Sequence, residues 1–181
     1  VLIYDPCGVC ACITPWDFPM AMLAGMATAA LGAGNTVVVK PSSKATVAAA
    51  NLVDLLHAAG VPMDALNYVS GDGEAVGTHL AEHPDVHVVA FNGSRTAALA
   101  VAAAAAPIRP NQDHFKRTIL DAGAKNAIIV DHDVDIDEAV AGVLESAFAF
   151  SGQKCTACSR VLVLADIHDA FCARLAESAQ V

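Results

Sequence analysis

Cys155 sits in Ser151-Gly152-Gln153-Lys154-Cys155-Thr156-Ala157-Cys158-Ser159-Arg160, a polar joint between an apolar, helix-compatible run (Val143 to Phe150) and a strand-like run (Val161 to Leu164). A thiol in such a joint can be partly exposed, and the neighbouring Lys154 favours the thiolate, the nucleophilic form. The competing reading is a buried cysteine acting as a small hydrophobe. Asp121, in Asp121-Ala122-Gly123-Ala124-Lys125-Asn126, could act as a general base toward water if the fold brings it near the thiol. Otherwise it is a turn residue. Lys40, ahead of Pro41-Ser42-Ser43, could donate to ribose hydroxyls or a phosphate, or be a solvated surface lysine. Gly71-x-Gly73-x-x-x-Gly77 approaches a dinucleotide fingerprint but misses its spacing, and is weak alone.

The elements that must position these residues alternate. Val9 to Thr14 reads as a buried strand, and Pro15-Trp16-Asp17-Phe18-Pro19 forces a turn. Met20 to Leu31 reads as a small-residue helix closed by Gly32-Ala33-Gly34-Asn35. Thr36 to Val39 is the next strand, stopping at Lys40 to Ser43. Ala45 to Ala58 is a helix, Leu66 to Val69 a strand, and Gly71 to Gly77 a glycine loop overlapping a helix from Ala75 to His83. Val86 to Phe91 is a strand ending at Asn92-Gly93-Ser94, and Thr96 to Ala106 an alanine-rich helix. After an irregular connector, Pro107 to Lys116, two strands flank the Asp121 joint: Arg117 to Leu120 and Ala127 to Val130. Asp133 to Asp137 then caps the helix that leads to Phe150. Such alternation predicts an α/β fold: a doubly wound parallel sheet forming a Rossmann-like domain over residues 1–120, and the beginning of a second α/β domain over 121–181. Ligands of such sheets bind beyond the carboxyl ends of the strands.

Composition narrows the function. The 181 residues are 55% hydrophobic and 16% charged, with a formal net charge of −9. That balance opposes nucleic acid and anionic membranes as partners and favours small molecules. No secretion signal is visible, which implies the cytoplasm, or the mitochondrial matrix in a eukaryote. Phe18 to Val39 carries no charge, yet Pro19, Gly25, Gly32, Gly34 and Asn35 divide it into helix, turn and strand rather than a membrane span. Six cysteines include two C-x-x-C pairs, Cys7/Cys10 and Cys155/Cys158. A zinc site would need the two distant pairs to meet, and a redox dithiol at Cys155/Cys158 is the other option. Neither is favoured, and no metal is expected. Cys10, Cys12 and Cys172 are expected in apolar settings.

Together the motifs resemble the aldehyde dehydrogenase superfamily. Thr14 to Pro19 is similar to its PWNFP motif, Lys40-Pro41-Ser42 to its ribose-lysine motif and Phe91-Asn92-Gly93-Ser94 to FTGS. Asp121 to Lys125 is similar to ELGGK, and Gly152-Gln153-Lys154-Cys155 to GQxC. Pro110-x-Gln112, Lys125 to Ile129 and Gln153 to Arg160 look most like the 1-pyrroline-5-carboxylate dehydrogenase branch, which oxidises glutamate γ-semialdehyde to glutamate. The resemblance implies a catalytic Cys155 that forms a hemithioacetal and then a thioester, with Asp121 as the base toward water and Asp17 at the oxyanion position. It implies a cofactor, NAD with NADP possible, lined by Ile13, Thr14, Pro15, Trp16, Lys40, Ser42, Ser43, Gly73, Gly77, Phe91, Asn92, Gly93, Ser94 and Ala122. Some relatives carry an acidic residue at position 43, and Ser43 would better tolerate a 2′-phosphate. A full-length relative is expected to be a homo-oligomer.

Four departures stand out: Asp17 for the motif's asparagine, Asn92 for threonine, Asp121 for glutamate and Ala124 for glycine. A carboxylate at the oxyanion position would repel developing charge, and losing one donor costs about 10²–10³ in rate. Relatives also extend well beyond both ends, so the chain reads as a fragment. Three expectations follow: part of an aldehyde dehydrogenase, a degenerate relative that keeps the nucleotide fold without turnover, or an unrelated thiol protein.

Overall fold

The computed structural model describes residues 5–180 of the chain, which divides into two units, Val1–Ala122 and Gly123–Val181. Among the described residues of the first unit, nine elements follow in order: β1 (Val9–Thr14), α1 (Pro19–Gly32), β2 (Thr36–Pro41), α2 (Thr46–Ala58), β3 (Leu66–Tyr68), α3 (Gly73–Glu82), β4 (Val86–Gly93), α4 (Arg95–Ala105) and β5 (Arg117–Ala122). The strands form one sheet in the order β3-β2-β1-β4-β5, with every neighbouring pair parallel.

Alternation along the strands explains the two covered faces. Cys10, Cys12, Val37, Val39, Val88 and Ala90 point to one side, against Leu23 and Ala27 of α1 and Ala49 and Val53 of α2. Ala11, Ile13, Val89 and Phe91 point to the other, against Leu80 and Ala81 of α3 and Ala98 and Val101 of α4. A strand buried on both faces must be apolar throughout, which is why β1 shows no polar alternation. The chain turns back across the sheet between β3 and β4, so the carboxyl ends of β1 and β4 flank the switch point where such folds bind ligands.

The second unit contains β6 (Asn126–Val130), α5 (Ile136–Phe148), a short 3-10 turn (Ala149–Gly152), β7 (Cys158–Val163) and α6 (His168–Ser178). β6 and β7 pair in parallel. Val130, Val140, Val143 and Phe171 form its core. Asp135 caps α5, its carboxylate accepting from the Asp137 and Glu138 amides; such a cap contributes about 1 kcal/mol.

The α/β expectation holds, and several boundaries move. β2 continues through Lys40 and Pro41, because both stay in register with Ile13 and Thr14 of β1, and a terminal proline needs no donor. β5 continues through Asp121 and Ala122, paired to Asn92 and Gly93, so Asp121 is a strand residue rather than a turn residue. The glycine loop is mostly helix: Asp72 caps α3 by accepting from the Glu74 and Ala75 amides, and Gly73 to Gly77 form its first turns. Pro19 opens α1, where its missing donor costs nothing. Among the described residues, no helix is long and apolar enough to cross a membrane.

Candidate active site

The carboxyl edge of the first unit gathers most of the singled-out residues. The Ser42 amide donates to the Thr14 carbonyl at 2.9 Å, tying the ends of β2 and β1 together. Thr14 Oγ1 is buried and, among the described residues, has no hydrogen-bond partner. Lys40 is 2% exposed, so the solvated-surface reading fails. Its ammonium donates 2.8 Å to the carbonyl of Pro41. Burial pushes the Lys40 pKa below the ordinary lysine value, and the charge of Asp72 partly offsets this. Gly77 lies in the buried part of α3, where an added Cβ would come to 4.0 Å from Ile13 Cδ1 and from Lys40 Cδ. Gly73 and Ser43 are exposed, whereas Pro15 is buried and Trp16, Asp17 and Ser42 are half-buried. The Lys44 ammonium stands 5.7 Å from the Trp16 ring centroid, a cation–π contact that braces the Pro15–Pro19 turn. The buried ammonium and the helix glycine thus meet on the α3 side of the sheet's carboxyl edge, with the Thr14 hydroxyl at the end of β1 on the opposite face. That donor set suits the hydroxyls and phosphates of a nucleotide.

The same edge continues across β4 and β5. Phe91 is buried in the core on the α3 and α4 side. A Cβ on Gly93 would fall 2.8 Å from the Phe91 ring, so glycine is required there by packing. Ser94 caps α4, its hydroxyl accepting from the Ala97 amide. Asn92 is buried, and its side-chain amide donates to Asp121 Oδ2 at 2.5 Å. Ala122, half-buried, closes β5. Asn92 and Asp121 also line a cavity of about 630 Å³ with Arg117, Ile119, Met22, Met26 and Cys7.

Cys155 belongs to the second unit. It is half-buried in the connection from the 3-10 turn to β7. Phe150, Ser151 and Gly152 all take left-handed backbone, with φ of 56°, 57° and 68°. Each non-glycine residue there costs about 1–2 kcal/mol, and a Cβ on Gly152 would meet the Ala147 carbonyl at 2.9 Å. The kink lets the chain leave α5 and re-enter β7 within a few residues. Beyond it, the Ala157 amide donates to the Lys154 carbonyl, and Asn126 Nδ2 donates to the Cys155 carbonyl at 2.9 Å.

The other thiols differ in setting. The Cys10 sulfur 3.9 Å away, together with burial, pushes the Cys12 thiol far up. Cys158 is buried in β7, its thiol donating to the Arg160 carbonyl. Cys172 departs from the apolar setting expected of it: it is exposed on α6, with its sulfur 3.5 Å from His168 Nε2. Among the described residues, no group of three or more His, Cys, Asp or Glu side chains could hold a metal ion.

Asp72 and Asn126 escaped the sequence reading. Asp72 had a visible signal, an aspartate immediately ahead of Gly73, where the helix begins. Asn126 had little, because its role depends on the pairing of β6 with β7, where it stands opposite Cys158.

The sequence profile of the aldehyde dehydrogenase family matches residues 1–181. A 1-pyrroline-5-carboxylate dehydrogenase of Geobacillus thermodenitrificans (strain NG80-2) is 43% identical over 174 residues, covering 96% of this chain and 34% of that protein. The crystal structure of 1-pyrroline-5-carboxylate dehydrogenase from Thermus with bound NAD aligns with a TM-score of 0.92 at 39% identity, over 97% of this chain and 34% of that one. Proline utilization A from Bdellovibrio bacteriovorus, inactivated by N-propargylglycine, aligns with a TM-score of 0.90 at 50% identity, over 95% of this chain and 18% of that one. The chain spans about a third of the length of the curated relatives it matches.

Proposed function

The chain belongs to the aldehyde dehydrogenase family, and on that premise we propose that it is the nucleotide-binding and nucleophile-bearing part of an enzyme that oxidises L-glutamate γ-semialdehyde to L-glutamate. The first unit, Val1–Ala122, serves as the nucleotide-binding domain and Gly123–Val181 as the start of the catalytic domain, the boundary lying two residues later than the sequence suggests. The substrate follows from the relatives, which are named for this activity in two bacterial species.

NAD, when bound, supplies the hydride acceptor. The observation that supports a nucleotide at the carboxyl edge is the buried Lys40 ammonium at the end of β2, packed against Gly77 of α3. Lys40 and Ser42 hold the adenosine ribose, and Ser43 leaves room for a 2′-phosphate, so NADP also fits. Ile13, Thr14, Pro15 and Trp16 line the cofactor from β1, with Gly73, Gly77, Gly93, Ser94 and Ala122 around it. Cys155 attacks the aldehyde carbon as thiolate, forming a hemithioacetal. Loss of hydride leaves a thioester on Cys155. Asp121 takes a proton from water, the water oxygen bonds to the thioester carbon, and the C–S bond breaks to release the carboxylate.

Thr14→Val tests the nucleotide site with opposed readouts. Removing a buried, unpartnered hydroxyl should raise stability by about 1 kcal/mol, while calorimetric titration with NAD should show affinity falling by about three- to tenfold. Raised stability with unchanged affinity would place the nucleotide elsewhere. A second reading, retention of the nucleotide site without turnover, is favoured by one feature: Asp17 offers a carboxylate where the family motif has an amide donor.

A further inference from the structure

Two of the four departures from the family motifs face each other. Asn92, standing where the motif has threonine, is the direct register partner of Asp121, standing where the motif has glutamate. Asn92 is 8% exposed, and its Nδ2 donates to Asp121 Oδ2. Shortening glutamate to aspartate withdraws a carboxylate by one methylene. Replacing threonine with asparagine extends the partner and gives it an N–H donor. The two changes compensate in length and pair in chemistry. Among the described residues, the other carboxylate oxygen, Oδ1, accepts no hydrogen bond from a side chain.

We propose that Asn92 is the positioning residue of Asp121, fixing one carboxylate oxygen and leaving the other free to act as the base toward water. This rests on the reading of Cys155 and Asp121 given above, and it moves Asn92 from lining a cofactor to orienting the base. A buried amide on an otherwise mobile, short carboxylate removes rotamer freedom before the reaction. It acts on the hydrolytic half of the cycle, in which water adds, sulfur leaves and the proton passes to Oδ1. It leaves the hydride-transfer half untouched.

The test uses the native full-length protein and follows NADH formation in the first turnover and at steady state, with the intact mass of the protein read in parallel. Asn92→Thr, which suits a strand, should preserve the rate of the first turnover, lower the steady-state rate by about tenfold or more, and leave an acyl adduct on Cys155. Asp121→Asn, isosteric with the parent, should stall at the same adduct. Asn92→Thr/Asp121→Glu, which restores the motif pair, should recover steady-state turnover. If Asn92→Thr slows the first turnover and leaves no adduct, Asn92 acts on the cofactor and the proposal falls alone. If Asn92→Thr changes neither phase, it also falls alone. If the parent forms no NADH, the underlying reading and the proposal fall together.

Discussion

Asn126 Nδ2 donates a 2.9 Å hydrogen bond to the carbonyl oxygen of Cys155. It is a contact across 29 residues that anchors the Cys155 peptide to the first residue of β6. Cys155 follows three left-handed residues and precedes β7, so its backbone has no ladder of its own. The asparagine therefore substitutes for a strand partner. Asn126→Ala should destabilise the second unit by about 0.5–1.5 kcal/mol and quicken amide exchange at Lys154 to Ala157. NAD affinity should stay unchanged. Protection equal to the parent's would show that the kink alone holds the segment.

The thiols should separate into two classes under limiting iodoacetamide. Cys155 is half-buried beside Lys154, and Cys172 is exposed beside His168; these two should be alkylated in the folded protein. Cys10, Cys12 and Cys158 are buried and should react only on unfolding. In Cys172→Ser, Cys155 should take the label first. Peptide mapping that finds Cys7 labelled ahead of Cys155 would remove the basis for the nucleophile.

Lys40 gives a pH signature. Burial lowers its folded pKa from the ordinary 10.5, so the folded chain binds this proton less tightly than the unfolded chain. Its burial penalty is fully present below the folded pKa, shrinks as pH climbs toward 10.5, and is gone above it. Lys40→Met removes the penalty. The mutant's excess stability in urea should be largest at neutral pH and close as pH approaches 10.5. A pH-independent difference would show that the ammonium is not desolvated.

Asp17 is nearly isosteric with asparagine, so Asp17→Asn should leave stability within about 0.5 kcal/mol of the parent. An amide donor in place of a carboxylate should raise kcat/KM for glutamate γ-semialdehyde by on the order of 10² or more. An unchanged rate would mean that residue 17 does not face the developing oxyanion.

The sheet was legible because hydrophobic runs, Pro and Gly punctuation and helix caps are local signals. Val9 to Thr14 read as a strand from its own residues, and Asp133 to Asp137 as a cap. What escaped was decided by partners distant in sequence. Lys40 looked like the end of a strand because charge and proline follow one another; pairing with Ile13 and Thr14 carries β2 through both. Asp121 looked like a turn residue until Asn92 supplied its strand register and hydrogen bond. The glycines at 73 and 77 suggested a loop, whereas the Asp72 cap makes them helix. Cys172 sat in an apolar-looking run, yet the core of the second unit takes Phe171 and leaves its neighbour outside.

The central claim is that Cys155 is the nucleophile of an aldehyde oxidation. Incubating the native full-length protein with NAD and glutamate γ-semialdehyde, and following NADH together with the mass of the Cys155 peptide, tests it most directly. The account predicts NADH formation with a transient adduct on Cys155, and neither in Cys155→Ala although that variant still binds NAD. NADH produced by Cys155→Ala at the parent's rate would contradict it.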